Sequence, residues 1–248
     1  MGTVVTFDLY DDDATSKDLD PFLREAIGVL HETDDVFSTY KADSPISRLR
    51  RGAITLEGCP SLVSEVLELC ETARSITEGW FDPWSLPGGV DPTGYVKGWA
   101  AQRSLDVLRR SGIRGALVNA AGDTASFGSP QPGFPFRIGI VDPANTQSLA
   151  CVVESPGAVA TSGTYERGGH LIDPHTGQST SRAASATVIG TDLGLADALA
   201  TALAVAGSQG LALVEALDDF EALIIGSDGD FEMTSGFLAA PSPVKTLR

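Results

Sequence analysis

The sequence predicts an α+β protein whose strands pair mainly antiparallel. Three observations lead there. β-rich runs follow one another with only a turn between them, as in GALVNAAGDTASFG and FEALIIGSDGDFEMT. Other stretches repeat apolar residues at helical spacing. One stretch, TDLGLADALATALAVAG, is apolar on every face, which marks a helix enclosed in a core.

The elements follow in order. Val4 to Tyr10 is an opening strand, closed by Asp11–Asp13. A helix starts at Asp20-Pro21, with Asp20 as cap, Pro21 in the first turn, and Phe22, Ala26, Val29 and Leu30 on one face. FSTYKADSPISRLR is polar and turn-rich around Asp43-Ser44-Pro45. A second helix spans about Pro60 to Ile76, with Leu62, Val66, Leu69 and Ala73 aligned. In GWFDPWSLPGGVDPTGYVKGWAAQRSLDVL the first half reads as loop. The second half reads as a helix over about Val96 to Arg110, with Lys97 in its first turn. GALVNAAGDTASFG is strand, turn, strand; FRIGIVD, LACVVES, GAVATSG and SATVIG are further strands. After the long apolar helix, SQGLALVEAL is a shorter one. FEALIIGSDGDFEMT closes as a hairpin around Asp228-Gly229, and the Pro-rich tail reads as loose.

Length and composition bound the function. The 248 residues suffice for one large domain or two closely packed halves. With 42% apolar and 20% charged residues the profile is that of a globular protein. Acids outnumber bases 33 to 17, a formal charge of −16. Such a chain repels phosphate backbones, and its basic runs (Arg48, Arg50 and Arg51; Arg109 and Arg110) are short, so nucleic-acid binding is not expected. An anionic small molecule would need local help such as a metal ion. Cys59, Cys70 and Cys151 lack C-x-x-C spacing, which suggests reduced thiols and no zinc site. No segment reads as a membrane span. The start, MGTVVTFDLYDDD, has no basic n-region and no long apolar run. We therefore expect a cytoplasmic protein, or an exported one whose leader has been removed.

Four constellations could carry chemistry. Asp197 is the only charge between Leu195 and Ala206, and Thr201 lies one helical turn on, on the same face. A buried carboxylate needs compensation. Carboxylate plus hydroxyl is a hard-oxygen set suited to Mg²⁺. The alternative is a buried Asp paired with an arginine or backbone amides, with Thr201 bonding its own helix. In VDPTGYVKGWA, Lys97 near a helix start is disfavoured by the dipole unless a phosphate sits there. Gly94 would admit close backbone approach to a ligand. The alternative is an exposed lysine. In VNAAGD, Asn119 and Asp123 flank a turn that is either a plain β-turn or a ligand edge. VATSGTYERGGHLIDPHTG is either a Gly/Ser/Thr-lined ligand wall or a hairpin with polar loops. No Walker A, G-x-G-x-x-G, G-x-S-x-G or H-E-x-x-H sequence occurs.

Taken together and in this order, the segments resemble the ApbE family, the FAD:protein FMN transferases. MGT at Met1–Thr3 is similar to that family's opening motif, and FSTYKADSPISRL to S-x-Y-x-x-x-S-x-I-S-R-L. WFDP at 80–83 resembles F-D-P/V-T. VDPTGYVKGWAAQR resembles V-D-L-G-G-I-A-K-G-Y-A-x-D-R, and VNAAGD resembles N-A-G-G-D. VATSGTYERGGHLIDPHTG resembles A-T-S-G-D-Y-E-R followed by H-I-I-D-P-R-T-G, and LADALATAL matches A-D-A-L-A-T-A-L.

The resemblance implies one ApbE-like (T-fold-like) domain over residues 1–248, with two related α/β halves, mixed or antiparallel sheets and FAD in a cleft between them. It implies Mg²⁺ at the FAD pyrophosphate, held by Asp197, Thr201 and the backbone oxygen of Gly94. Asp91, Lys97, Met1, Tyr40, Trp80, Phe81, Asp82 and Ile172 fall at FAD-contacting positions, and Asn119 and Asp123 line the same cleft. His170 falls at the histidine near the acceptor hydroxyl; that Asp173 orients it is our own reading of the residues, not part of the resemblance. His175 stands where the family more often has arginine and reads as incidental. The expected reaction is Mg²⁺-dependent transfer of FMN from FAD to a Thr or Ser hydroxyl of a partner redox flavoprotein, releasing AMP. A Mg²⁺-dependent FAD pyrophosphatase or a non-catalytic FAD-binding protein are the alternatives. The chain departs from the family's pattern at Pro92-Thr93 in place of Leu-Gly and at Ala121 in place of glycine. The 84–90 loop is short where most members carry a long insert that helps cover the flavin. Only Gly168-Gly169 stand where the family has a hairpin before His170.

Overall fold

The computed structural model describes residues 3–12, 18–155, 157–163, 171–180 and 182–241. The first strand, β1 (Val5–Tyr10), precedes four helices: α1 (Asp20–Phe37), α2 (Pro45–Arg50), α3 (Ser61–Ile76) and α4 (Thr93–Arg109). Eight strands follow: β2 (Gly115–Ala120), β3 (Asp123–Gly128), β4 (Arg137–Asp142), β5 (Asn145–Glu154), β6 (Ala158–Gly163), β7 (Ile172–Asp173), β8 (Gln178–Ser179) and β9 (Ser185–Gly190). The chain continues through α5 (Leu193–Ala206), a short 3-10 turn and α6 (Leu211–Glu215) to β10 (Phe220–Ile225), β11 (Phe231–Met233) and β12 (Ala239–Pro241).

Seven strands form one sheet in the order β1-β2-β3-β6-β9-β10-β11. Among the described residues every pairing in it is antiparallel, as the strand-turn-strand runs imply. Strand alternation splits its side chains between two cores. Ala186 and Val188 of β9 and Ala222 and Ile224 of β10 join the core under α4 and α5. Ile189, Leu223 and Ile225 point the other way, onto Ile140, Cys151 and Val153 of the small sheet β12-β5-β4. With both faces covered, β9 is buried at all six positions.

The helix starts have local causes. Ser44 caps α2 by accepting a hydrogen bond from the Ser47 amide, with Pro45 opening the helix. Asp192 caps α5 by accepting from the Leu195 amide at 2.7 Å. Gly207 ends α5 at φ +65°, a conformation other L residues resist. α4 and α5 touch through glycines. A Cβ at Gly98 would stand 2.3 Å from the Leu193 carbonyl oxygen, and one at Gly194 2.9 Å from the Tyr95 ring. No larger residue fits either place without moving a backbone or a buried ring. Ser104 of α4 ties α1 to the same block by donating to the Ala26 carbonyl at 3.0 Å.

Five expectations need correction. Leu19, not Asp20, is the N-cap of α1, and no side chain caps it; Asp20 lies inside the first turn. Part of the polar stretch after α1 is helical, because Ser44-Pro45 supplies a start signal strong enough for a short helix. α4 begins at Thr93, so Lys97 lies in its second turn; the start is set by Asp91, which accepts from the Thr93 amide at 3.1 Å. The tail contributes β12, which pairs with β5. Helical residues 193–215 also make one 23-residue stretch long and apolar enough, by length and composition, to cross a bilayer. Its α5 part lies in the core between the seven-stranded sheet and α4.

Candidate functional site

One cavity of about 870 Å³ opens where the end of α1, the start of α4, one face of α5, residues 80–86 and the β7–β8 hairpin converge. It brings together Tyr40, Trp80, Phe81, Asp82, Asp91, Gly94, Lys97, Ile172, Asp197 and Thr201. Thr3, Ala121 and Ser162 also line it. Met1 and His170 lie outside the described residues.

At one end the helix pair supplies oxygen. Asp197 is buried, 3% exposed, and accepts from the Gly98 amide at 3.3 Å. A backbone amide partner, one of the alternatives above, is therefore realised. The Thr201 hydroxyl stands 3.3 Å from the Ser162 hydroxyl on β6. A methyl group placed at Gly94 would lie 3.4 Å from the Thr201 oxygen and 3.3 Å from the Phe81 ring. A side chain there would be in ordinary contact with that hydroxyl and slightly tight against the ring. No cluster of three or more His, Cys, Asp or Glu occurs among the described residues. The oxygen set is instead one carboxylate, one hydroxyl and one nearby backbone turn. That is hard-ligand chemistry and fits Mg²⁺, which keeps water or substrate oxygens in the rest of its shell.

Lys97 stands beside this end with its ammonium 2.6 Å from the Asp123 carboxylate, which is 1% exposed. Asp123 also accepts from the Thr161 amide at 2.9 Å. Lys97 is therefore anchored and is no loose surface lysine. Asp123 is not among the cavity's lining residues and holds Lys97 from behind. Asn119 does not line the cavity either: its side chain accepts from the Gly122 amide at 2.8 Å and closes the turn between β2 and β3. Within that turn Ala121 sits at φ +53°, the left-handed region that a Cβ penalises. Strain of this kind persists only where surrounding structure enforces it. Here the two strands and the Asn119 bond fix the turn.

Three carboxylates at or near the cavity are each paired with a base. Asp82 meets Arg74 at 3.0 Å, Asp91 meets Arg50 at 2.7 Å, and Asp123 meets Lys97. An acidic chain can in this way present a cavity that does not repel an anion.

Another part of the lining is aromatic. Tyr40 is 82% exposed at the rim. Trp80 packs edge-on against His175, ring centroids 4.4 Å apart, and the Arg182 guanidinium lies 5.2 Å from the Trp80 ring. Arg182 also bonds the buried Asp173 at 3.0 Å, and the His175 amide donates to the same carboxylate at 2.9 Å. Burial pushes the Asp173 carboxyl up. The His175 amide and the Arg182 charge outweigh it and hold the group below the usual range. One correction follows: His175 is a packing contact of the aromatic wall, not an incidental residue. The described partners of Asp173 fasten the β7–β8 hairpin; His170, which Asp173 is expected to orient, lies outside the described residues. Arg50, Arg182 and Ser162 escaped the sequence reading, because each acts on a partner distant in the chain and no local pattern marks it.

Comparison with known proteins places this geometry. The family model described as ApbE family matches residues 1–88 and 85–224. A protein of Vibrio cholerae serotype O1 named FAD:protein FMN transferase is 34% identical over 155 residues, covering 58% of this chain and 46% of that protein. One of that name from Rhodobacter capsulatus is 33% identical over 183 residues, covering 68% and 33%. The matched stretch thus spans about half or less of these relatives' length. The flavin transferase ApbE structure from Vibrio cholerae superposes with a TM-score of 0.80 at 26% identity, covering 97% of this chain and 94% of that one. The apo flavinyl transferase ApbE of Pseudomonas stutzeri superposes at 0.81 with 25% identity, covering 95% and 92%.

Proposed function

The chain belongs to the ApbE family, and from that membership we propose that it is a Mg²⁺-dependent FAD:protein FMN transferase. Residues 1–248 serve as one domain of that kind. Its reaction moves FMN from FAD to a Thr or Ser hydroxyl of a partner protein and releases AMP. One observation carries the reading: a single cavity joins an oxygen set, the buried Asp197 and Thr201 beside Gly94, to an aromatic wall containing Trp80 and Tyr40. A dinucleotide with a flavin at one end and a diphosphate in its middle matches that layout.

The acceptor hydroxyl oxygen attacks the phosphorus on the FMN side. A new P–O bond forms, the bond to the bridging oxygen breaks, and AMP leaves carrying that oxygen. Asp197, Thr201 and the Gly94 carbonyl would hold Mg²⁺. When bound, it supplies positive charge to the diphosphate and eases departure of AMP. Lys97, anchored by Asp123, adds a fixed cation at the same place. His170 takes the hydroxyl proton in this reading. Trp80, Phe81, Tyr40 and Ile172 hold the flavin.

The test is incubation with FAD, Mg²⁺ and a candidate acceptor domain. The expected result is a fluorescent acceptor heavier by one FMN. Free FMN and AMP without labelling would make the protein a pyrophosphatase, and intact bound FAD would make it a carrier. Full activity in His170→Ala would remove the base assignment.

A further inference from the structure

We propose that Arg50 is a positioning residue for flavin binding, holding residues 83–91 as a fixed lip of the cavity; the proposal rests on the FAD reading above. The short segment closes on itself, because the Asp91 amide donates to the Pro83 carbonyl at 2.8 Å. It presents Pro83, Leu86 and Asp91 to the cavity. Apart from turns it has no secondary structure of its own to hold that shape.

Arg50, in the last turn of α2, reaches across and supplies the missing bonds. Its Nη1 meets Asp91 Oδ2 at 2.7 Å, Nη2 donates to the Pro87 carbonyl at 3.0 Å, and Nε donates to the Gly88 carbonyl at 3.3 Å. One planar guanidinium thus satisfies three groups of the loop at once. A lysine ammonium, a compact point charge, cannot copy that fork. The loop in turn is shaped to admit the arginine. Gly88 and Gly89 have φ +87° and +99°. A Cβ at Gly88 would meet the guanidinium at 3.1 Å, and one at Gly89 would meet the Arg50 carbonyl oxygen at 3.0 Å. Arg50 also neutralises Asp91, which would otherwise set a bare negative charge beside the place for a diphosphate. Arg50 itself is not among the residues lining the cavity, so it acts through the lip.

The test compares wild-type protein with Arg50→Ala and Arg50→Lys in the full chain. FAD affinity is read by quenching of flavin fluorescence. Lip closure is read by the rate of chymotryptic cleavage after Trp84, which is 41% exposed. In Arg50→Ala we expect FAD to bind about tenfold more weakly. KM for FAD should rise with kcat unchanged, and cleavage after Trp84 should accelerate. Arg50→Lys should recover less than half of the lost affinity, and it carries the test if the alanine variant does not fold. FAD affinity within twofold of wild type in Arg50→Ala, full rescue by lysine, or a fall in kcat at constant KM would each overturn the proposal. Should wild-type protein bind no FAD, the functional reading fails, while the cleavage contrast still decides whether Arg50 holds the lip.

Discussion

The wall built by α4 and α5 and the wall built by residues 80–91 and 171–180 meet in one cavity but are held by different forces. The helix wall is a packing joint. Gly98 and Gly194 bring two backbones into contact, and Asp197 is the single charge on an otherwise apolar helix. The loop wall is an electrostatic joint. Arg50 fastens one segment, and Arg182 with Asp173 fastens the other beside Trp80. Packed interiors tolerate little change in volume, whereas ion pairs that reach the surface contribute modestly and yield without collapse. Substitutions in the helix wall should therefore move stability and chemistry together, and substitutions in the loop wall should move affinity alone.

The largest effect should come from Asp197→Asn, which keeps the shape and removes the charge. Mg²⁺-dependent transfer should fall at least about a hundredfold, and the rise in melting temperature on adding Mg²⁺ should disappear. Activity within tenfold of wild type would move the metal away from the helix wall. Next comes Gly98→Ala. Its new Cβ would stand 2.3 Å from a backbone oxygen, so we expect a loss of about 2–3 kcal/mol in a denaturant melt, with FAD affinity falling alongside. An unchanged melt would show that the helix joint can shift, which would dissolve the contrast. A smaller effect is expected from His175→Ala, which removes an edge-on aromatic partner of Trp80. FAD affinity should drop about fivefold with kcat preserved, measured by titration and by steady-state kinetics.

The smallest effect concerns pH. The Asp173 carboxyl is held below its ordinary value of 3.8, so its folded form gains stability from ionisation. That contribution is complete above 3.8 and is lost as pH falls below it, through the lower folded value. Hydrogen-exchange protection of the 172–179 hairpin should therefore stay level between about pH 8 and pH 5. A loss of protection within that range would show that Asp173 does not set the hairpin's stability.

The same contrast explains what could be read from the sequence. The helix wall was legible because its parts are local. Asp197 and Thr201 share a helix face, and an all-apolar run announces burial. Gly94 and Lys97 lie in one short segment. The contacts that fasten the loop wall were not legible. Arg50 finds its partners some 40 residues on, and His175 packs on a tryptophan almost a hundred residues earlier. Periodicity records only neighbours along the chain, so such contacts leave no trace in it. The order of strands in the sheet was hidden for the same reason, although the antiparallel sense was visible in the hairpin-like runs. Ala121 is a different failure: nothing in an alanine signals a left-handed backbone, and only its strands impose one.

The edge position of β1 bears on when the cavity comes into being. Val5 pairs with Ala120, more than a hundred residues later, and Thr3 enters the cavity wall from that edge. Closing so long a loop is entropically slow and must precede any reward from the pairing. The cavity is therefore a property of the finished sheet and of no fragment of it. A ligand held there binds the native chain alone, so each tenfold excess of FAD over its dissociation constant adds about 1.4 kcal/mol to folding stability by mass action.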